Sequence, residues 1–183
     1  MNAILEEIRH VEQTAELIHD GAAVEDALDR LAREIGAVLA ESNPLVLTVL
    51  NGGIIFAGQL LPRLNFPLQL DAINASRYRG QTHGQHIEWL LQPSMPLAGR
   101  AILLLDDVLD EGITLAEVVK YCRANGAASV HIAVLIDKQL GRERPCRADF
   151  IGLEAPNRYL FGYGMDYKNY LRNAPGIYAC TTV

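Results

Sequence analysis

Apolar positions recur at helical spacing early in the chain, at Val24, Leu28, Leu31, Ile35, Val38 and Leu39, while Asp26, Arg30, Arg33 and Glu34 fall largely on the opposite side. This predicts an amphipathic helix over 22–41, stopped by Ser42-Asn43-Pro44. A preceding helix with an acidic solvent face is expected over Ala3–Ile18. Leu45–Leu50 (LVLTVL) is a continuous apolar run, the pattern of a strand covered on both faces, and it ends at Asn51-Gly52-Gly53. A helical stretch, IIFAGQLLPRL, follows until Pro62 disturbs it.

Strands are then expected at Leu68–Ser76, at HIEWLLQ after the polar loop RYRGQTHGQ, and at AILLLDD. A helix over Leu115–Ala124 closes at Asn125-Gly126, followed by the strands VHIAVLID and ADFIGLE, the segment RYLFGYGMDY and a short terminal strand in GIYACTT. Alternation of strand and helix in this order predicts an α/β fold, a mostly parallel central sheet flanked by helices. Ligands of such sheets bind beyond the carboxyl ends of the strands.

The totals narrow the chemistry. A chain of 183 residues, 50% hydrophobic and 21% charged, suits a single domain over 1–183 with a sizeable core. Charges interrupt every apolar segment, so no membrane partner is expected, and MNAILEEIRH lacks the features of a signal peptide. Cys122, Cys146 and Cys180 stand far apart, which argues against a disulfide framework or zinc site and for a cytoplasmic location. The five histidines have no metal-ligand spacing. A net charge of −6 disfavours nucleic acid as a partner. It also means that any phosphate ligand must be held by local devices: backbone N–H groups, a few Lys and Arg, or a metal.

One stretch concentrates such devices. LLLDDVLDEGIT (Leu103–Thr114) runs from an apolar strand into four carboxylates, a glycine and a threonine before a helix begins. The N–H groups from Asp110 through Glu111, Gly112 and Ile113 to Thr114 can wrap a phosphate at the positive end of that helix, with the Thr114 hydroxyl assisting. Asp106 and Asp107 lie just upstream, where a sugar on that phosphate would sit, and carboxylates are natural acceptors for a vicinal diol. A ribose 5-phosphate fits the whole pattern.

At these residues the chain resembles the type I phosphoribosyltransferases, whose motif is a hydrophobic strand, two acids, two apolar residues and Asp-Thr-Gly-x-Thr. The resemblance runs from about Asp20 onward and takes the form of the hypoxanthine-guanine phosphoribosyltransferase group, with a small base-binding hood near 154–183. It implies a pyrophosphate loop at Leu50, Asn51, Gly52 and Gly53, which in the family often carries a non-proline cis peptide, and pyrophosphate contacts from Arg142 and Arg172. Lys138 is implied to bond the purine edge, Tyr159 to stack on the ring, Leu160 to read it through backbone groups, and Asp166 to stand beside the base and a Mg²⁺ ion. Asp106 and Asp107 are implied to hold the ribose hydroxyls near that metal, and Asp110 to act as general base toward the purine.

Two departures from the motif stand out. Glu111 occupies the position of the motif threonine and is expected to turn outward or pair with a basic group. The family's mobile loop, near 75–87, usually carries Ser-Tyr where this chain has Ser76-Arg77-Tyr78-Arg79. The implied reaction converts a 6-oxopurine, hypoxanthine or guanine, and phosphoribosyl pyrophosphate into IMP or GMP and pyrophosphate, with Mg²⁺ as cofactor, in a homo-oligomer, dimer or tetramer. A transferase for xanthine or a pyrimidine, or a nucleotide-sensing regulator on the same fold, is the alternative.

Overall fold

The structure, a computed structural model, describes residues 3–77 and 87–181. Its order is α1 (Ala3–Thr14), β1 (Glu16–His19), α2 (Gly21–Leu39), β2 (Leu45–Val49), α3 (Gly53–Leu60), β3 (Gln69–Arg77), β4 (Ile87–Leu91), β5 (Ala101–Leu109), α4 (Ile113–Ala124), β6 (Ser129–Gln139), β7 (Phe150–Pro156), β8 (Leu160–Phe161) and β9 (Ile177–Ala179). Six strands form the main sheet in the order β4-β3-β2-β5-β6-β7, with β4 antiparallel to β3 and the other pairings parallel. A second, three-stranded antiparallel sheet has the order β1-β9-β8.

Strand alternation sorts the core into two layers. Val46, Leu103, Leu105, Ala133 and Leu135 face α2 and α3, together with Leu160, Met165 and Ile177 of the smaller sheet and its loops. Leu45, Leu47, Ile102, Leu104 and Val134 face α4 on the other side. Both faces are therefore covered, which is why β2 and the first half of β5 read as unbroken apolar runs. Helix α2 starts where the Asp20 carboxylate accepts the Ala23 N–H at 2.9 Å, a side-chain cap.

The elements depart from expectation in instructive places. Helix α1 ends at Thr14, whose hydroxyl donates to His10 O at 2.8 Å, and 16–19 are a strand instead of a final helical turn. The backbone of β9 offers these residues an antiparallel ladder, and that pairing overrides the local spacing. Strand β5 continues past Asp106-Asp107 to Leu109, because β6 keeps pairing with it as far as Leu109↔Asp137. Helix α4 starts two residues early, at Ile113. Val38, assigned to the apolar stripe of α2, is 56% exposed near the end of the helix. Among the described residues no helix is long and apolar enough to cross a membrane.

This packing separates two residues of one helix. Leu31 is wholly buried and Val38 is not. Leu31→Ala should cost about 2–5 kcal/mol of unfolding free energy through lost burial and an unfilled cavity. Val38→Ala should stay within about 0.5 kcal/mol. Urea titration of the two variants checks the pair.

Candidate functional site

Beyond the carboxyl ends of β2, β5 and β6 lies a cleft of about 440 Å³. The β2–α3 turn contributes Leu50, Asn51 and Gly52; β5 contributes Asp106 and Asp107; the β5–α4 loop contributes Asp110 through Thr114; β6 contributes Lys138. The smaller sheet and the segment between its last two strands close the other wall with Tyr159, Leu160, Met165, Asp166 and Arg172. Residues far apart in sequence meet here because parallel strands all end on the same side of the sheet.

The β2–α3 turn is built for close approach. The Leu50–Asn51 peptide is cis, the feature that the resemblance implies for this loop. A Cβ added at Gly52 would lie 2.3 Å from Asp107 Oδ2, so only glycine lets the turn press against that carboxylate. Gly53 sits behind the turn, buried at the start of α3, and does not line the cleft. At the β5–α4 loop, Gly112 has φ 74°, a left-handed conformation suited to glycine, and the helix starts at the next residue. The first N–H groups of α4 have no partner within their own helix and face the loop end, an arrangement that favours an anion.

Five carboxylates and two cationic side chains line the cleft. Lys138 Nζ bonds Asp110 Oδ2 at 2.8 Å. Arg172 Nη2 lies 2.6 Å from Asp166 Oδ1, while Asp166 Oδ2 accepts the Asn169 N–H at 2.7 Å. Arg172 also donates to Gly164 O at 2.5 Å, so its guanidinium is anchored to the hood backbone. Tyr159 is 41% exposed and meets Tyr167 edge-on at 5.4 Å between ring centres, which leaves a ring face available to the cleft. Tyr167 in turn donates to Glu7 of α1 at 2.7 Å.

Among the described residues no cationic side chain is bonded to Asp106 or Asp107, and the Asp107 N–H donates to Asp106 Oδ1 at 3.0 Å. Burial, and next the charge of Asp107, push the Asp106 carboxyl well above its ordinary range. Burial likewise pushes Asp107 up to about 6, partly offset by its hydrogen bond with Asp106. Among the described residues no three acidic, histidine or cysteine side chains form a metal cage. A buried carboxylate pair with no directly bonded cation among the described residues still suits a hard divalent ion that holds one or two protein oxygens and takes the others from phosphates and water.

Most of the expected site residues therefore converge, and besides Gly53 the one described outside the cleft is Arg142. Arg142 lies on a neighbouring depression, with Nη2 3.0 Å from Glu111 Oε1. Thus Glu111 meets a basic group, and that group is Arg142. Ser76 and Arg77 fall at the end of β3, while Tyr78 and Arg79 lie outside the described residues, as do His83 and His86. The sequence reading missed Met165, which forms part of the wall, and Arg144, which donates to Asp110 O at 3.3 Å. Met165 lies inside a segment already matched to base binding, whereas no spacing marks Arg144 among the arginines around it.

The sign of the acid pair's pH effect follows from its direction. Unfolded carboxyls release their protons near 3.8, whereas folded Asp107 holds its proton to about 6. The pair therefore stabilises the folded chain most fully below the ordinary carboxylate range, and that contribution is lost as pH rises through about 6. Asp107→Asn should thus gain stability relative to the parent as pH goes from 5 to 7 in chelator-treated buffer. Thermal melts across that range check it, and a pH-independent difference between the two proteins would contradict it.

Comparison with known proteins agrees with this fold. A phosphoribosyl transferase domain model matches residues 14–168. The hypoxanthine-guanine phosphoribosyltransferase of Bacillus subtilis (strain 168) is 32% identical over 158 residues, covering 84% of this chain and 88% of that protein. A hypoxanthine phosphoribosyltransferase from Trypanosoma cruzi, a mutant in its ternary substrates complex, aligns with TM-score 0.84 at 27% identity, over 93% of this chain and 97% of that one. A hypoxanthine-guanine-xanthine phosphoribosyltransferase aligns with TM-score 0.82 at 26% identity, over 90% and 96%. By sequence match and by fold, the chain belongs to the phosphoribosyl transferase family.

Proposed function

We propose that the protein is a purine-salvage enzyme that transfers the 5-phosphoribosyl group of phosphoribosyl pyrophosphate to hypoxanthine or guanine, releasing pyrophosphate and IMP or GMP. The observation that carries this reading is the convergence in one cleft of the β5–α4 loop, the Asp106-Asp107 pair and the Lys138–Asp110 contact at 2.8 Å. Relatives that act on these bases, at about one-third identity over most of the chain, support it.

In this reading the N–H groups of Asp110 through Thr114 hold the 5-phosphate, and Asp106 and Asp107 accept hydrogen bonds from the ribose hydroxyls. Leu50, Asn51 and Gly52 border the diphosphate, with Arg172 as the nearest anchored cation. The purine lies on Tyr159, with Lys138 donating to its oxygen edge and the Leu160 backbone beside it. A purine ring nitrogen attacks the anomeric carbon as the bond to pyrophosphate breaks, and positive charge develops on the ribose. The carboxylates of Asp106 and Asp107 stabilise that charge across the cleft. Asp110 accepts the imidazole proton as the ring becomes bonded, while the Lys138 ammonium, 2.8 Å away, keeps the carboxylate aimed.

Asp106 and Asp107, with Asp166 nearby, are the residues to hold Mg²⁺ together with substrate phosphates. When bound there, the ion supplies positive charge that makes pyrophosphate a better leaving group. Glu111 adds no charge problem at the phosphate, since its carboxylate is turned to Arg142. A cytoplasmic homo-oligomer completes the reading; Ile54, 51% exposed on α3, is an apolar position suited to a subunit contact.

The test is pyrophosphate release from Mg²⁺-phosphoribosyl pyrophosphate with hypoxanthine, guanine, xanthine, adenine and uracil side by side. Turnover should be confined to 6-oxopurines; activity with adenine or uracil alone, or with none, would refute the assignment. Asp110→Asn should lower kcat by about 10²–10⁴-fold, the range for a lost general base. Its affinity for GMP, measured by calorimetry, should change little.

A further inference from the structure

The connection after β6 grips the loop before α4 with alternate side chains. Arg142 reaches the Glu111 carboxylate, Arg144 reaches the backbone of Asp110, and Cys146 Sγ lies 3.2 Å from Gly112 O, the S–H donating. Arg144 is the more buried of the two arginines, with 16% of its side chain exposed. Its Nη1 donates to Leu109 O at 2.8 Å, and to Asp110 O and Lys138 O at 3.3 Å each. Its Nη2 stands 2.6 Å from Oδ1 of Asp137, a carboxylate only 11% exposed. That contact is one of charge and not of hydrogen-bond alignment.

Leu109 and Asp137 are paired across β5 and β6, so Asp110, the first residue past β5, and Lys138 of β6 follow that pair directly. Their side chains meet at 2.8 Å. One guanidinium thus joins the two backbones at the point where the two functional side chains leave them. A planar fork of five N–H donors can serve several carbonyls and a carboxylate together, which a lysine ammonium on a flexible stem cannot reproduce. Asp137 holds the fork from behind, and the Arg144 charge in turn compensates that buried carboxylate.

We propose that Arg144, backed by Asp137, is a positioning residue that fixes the Asp110 carboxylate against the Lys138 ammonium and so sets the alignment of proton acceptor and purine edge. This rests on the function proposed above, with Asp110 as the base. It assigns a role to an arginine that touches no substrate. It also makes the β6–β7 connection a part of the site, although that segment borders the cleft without lining it.

The experiment compares Arg144→Lys, Arg144→Gln, Asp110→Asn and the Asp110→Asn/Arg144→Lys double variant in the full chain, reading kcat, both KM values and the melting temperature. Arg144→Lys keeps a cation for Asp137 and is expected to fold even if Arg144→Gln does not. It should lower kcat about 10- to 100-fold, the scale of a sub-ångström to ångström misplacement of reacting groups, with the KM for phosphoribosyl pyrophosphate nearly unchanged. In the Asp110→Asn background the same substitution should give no further loss of kcat, because the two act through one group. A folded Arg144→Lys enzyme with parental kcat, or full multiplication of the two losses in the double variant, overturns the proposal. A parent enzyme that transfers to none of the bases overturns the proposed function instead, and the two failures are told apart by that control.

Discussion

The structure turns on a pair of adjacent carboxylates at the emerging end of β5. Asp106 and Asp107 sit where a strand buried on both faces first reaches the cleft, and burial holds their protons well past the ordinary range. Two neighbouring carboxylates in such a place favour a ligand that brings hydroxyl donors or positive charge, since either one relieves the repulsion. The surroundings conform to that need. Gly52 allows the neighbouring turn to come within contact of Asp107, Arg172 is tied to Asp166 on the facing wall, and the helix end at Gly112 supplies N–H donors for a phosphate. A ligand that is anionic at its ends and hydroxylated in its middle satisfies all three at once.

Much of this was legible in the sequence, for reasons that are local. The loop at Asp110–Thr114 and the turn at Asn51-Gly52-Gly53 carry their meaning in consecutive residues, and the fold's strand order brings consecutive motifs to one edge. Helix α2 announced itself by period, and its buried stripe from Val24 to Ile35 is where the period placed it. What escaped was contact between distant segments. Strand β1 looks like a helical continuation until β9 is known to lie beside it. Arg144 looks like any of the arginines near it until β5 and β6 are seen side by side. Arg142 was matched to pyrophosphate by its place in the chain, yet it stands by Glu111, a residue thirty-one positions earlier that also departs from the motif. Departure and response lie in different loops, so neither discloses the other in one dimension.

The small sheet has a consequence for how the protein is made. Its strand order is β1-β9-β8, so β9 is the middle strand and each of its neighbours pairs with it alone. Glu16 and Leu160 both find their partner in Ala179. During synthesis, domains and subdomains take shape from the N-terminal side as residues emerge, and contacts between distant segments must wait for the later one. The six-stranded sheet has all its strands once β7 is out, and the acid pair, the phosphate-binding loop and Lys138 are then in place. Strands β1 and β8 remain without a ladder until residues 177–179 follow. The wall of the cleft built by the six-stranded sheet therefore has all its strands before the wall that carries Tyr159 and Leu160 has its middle one.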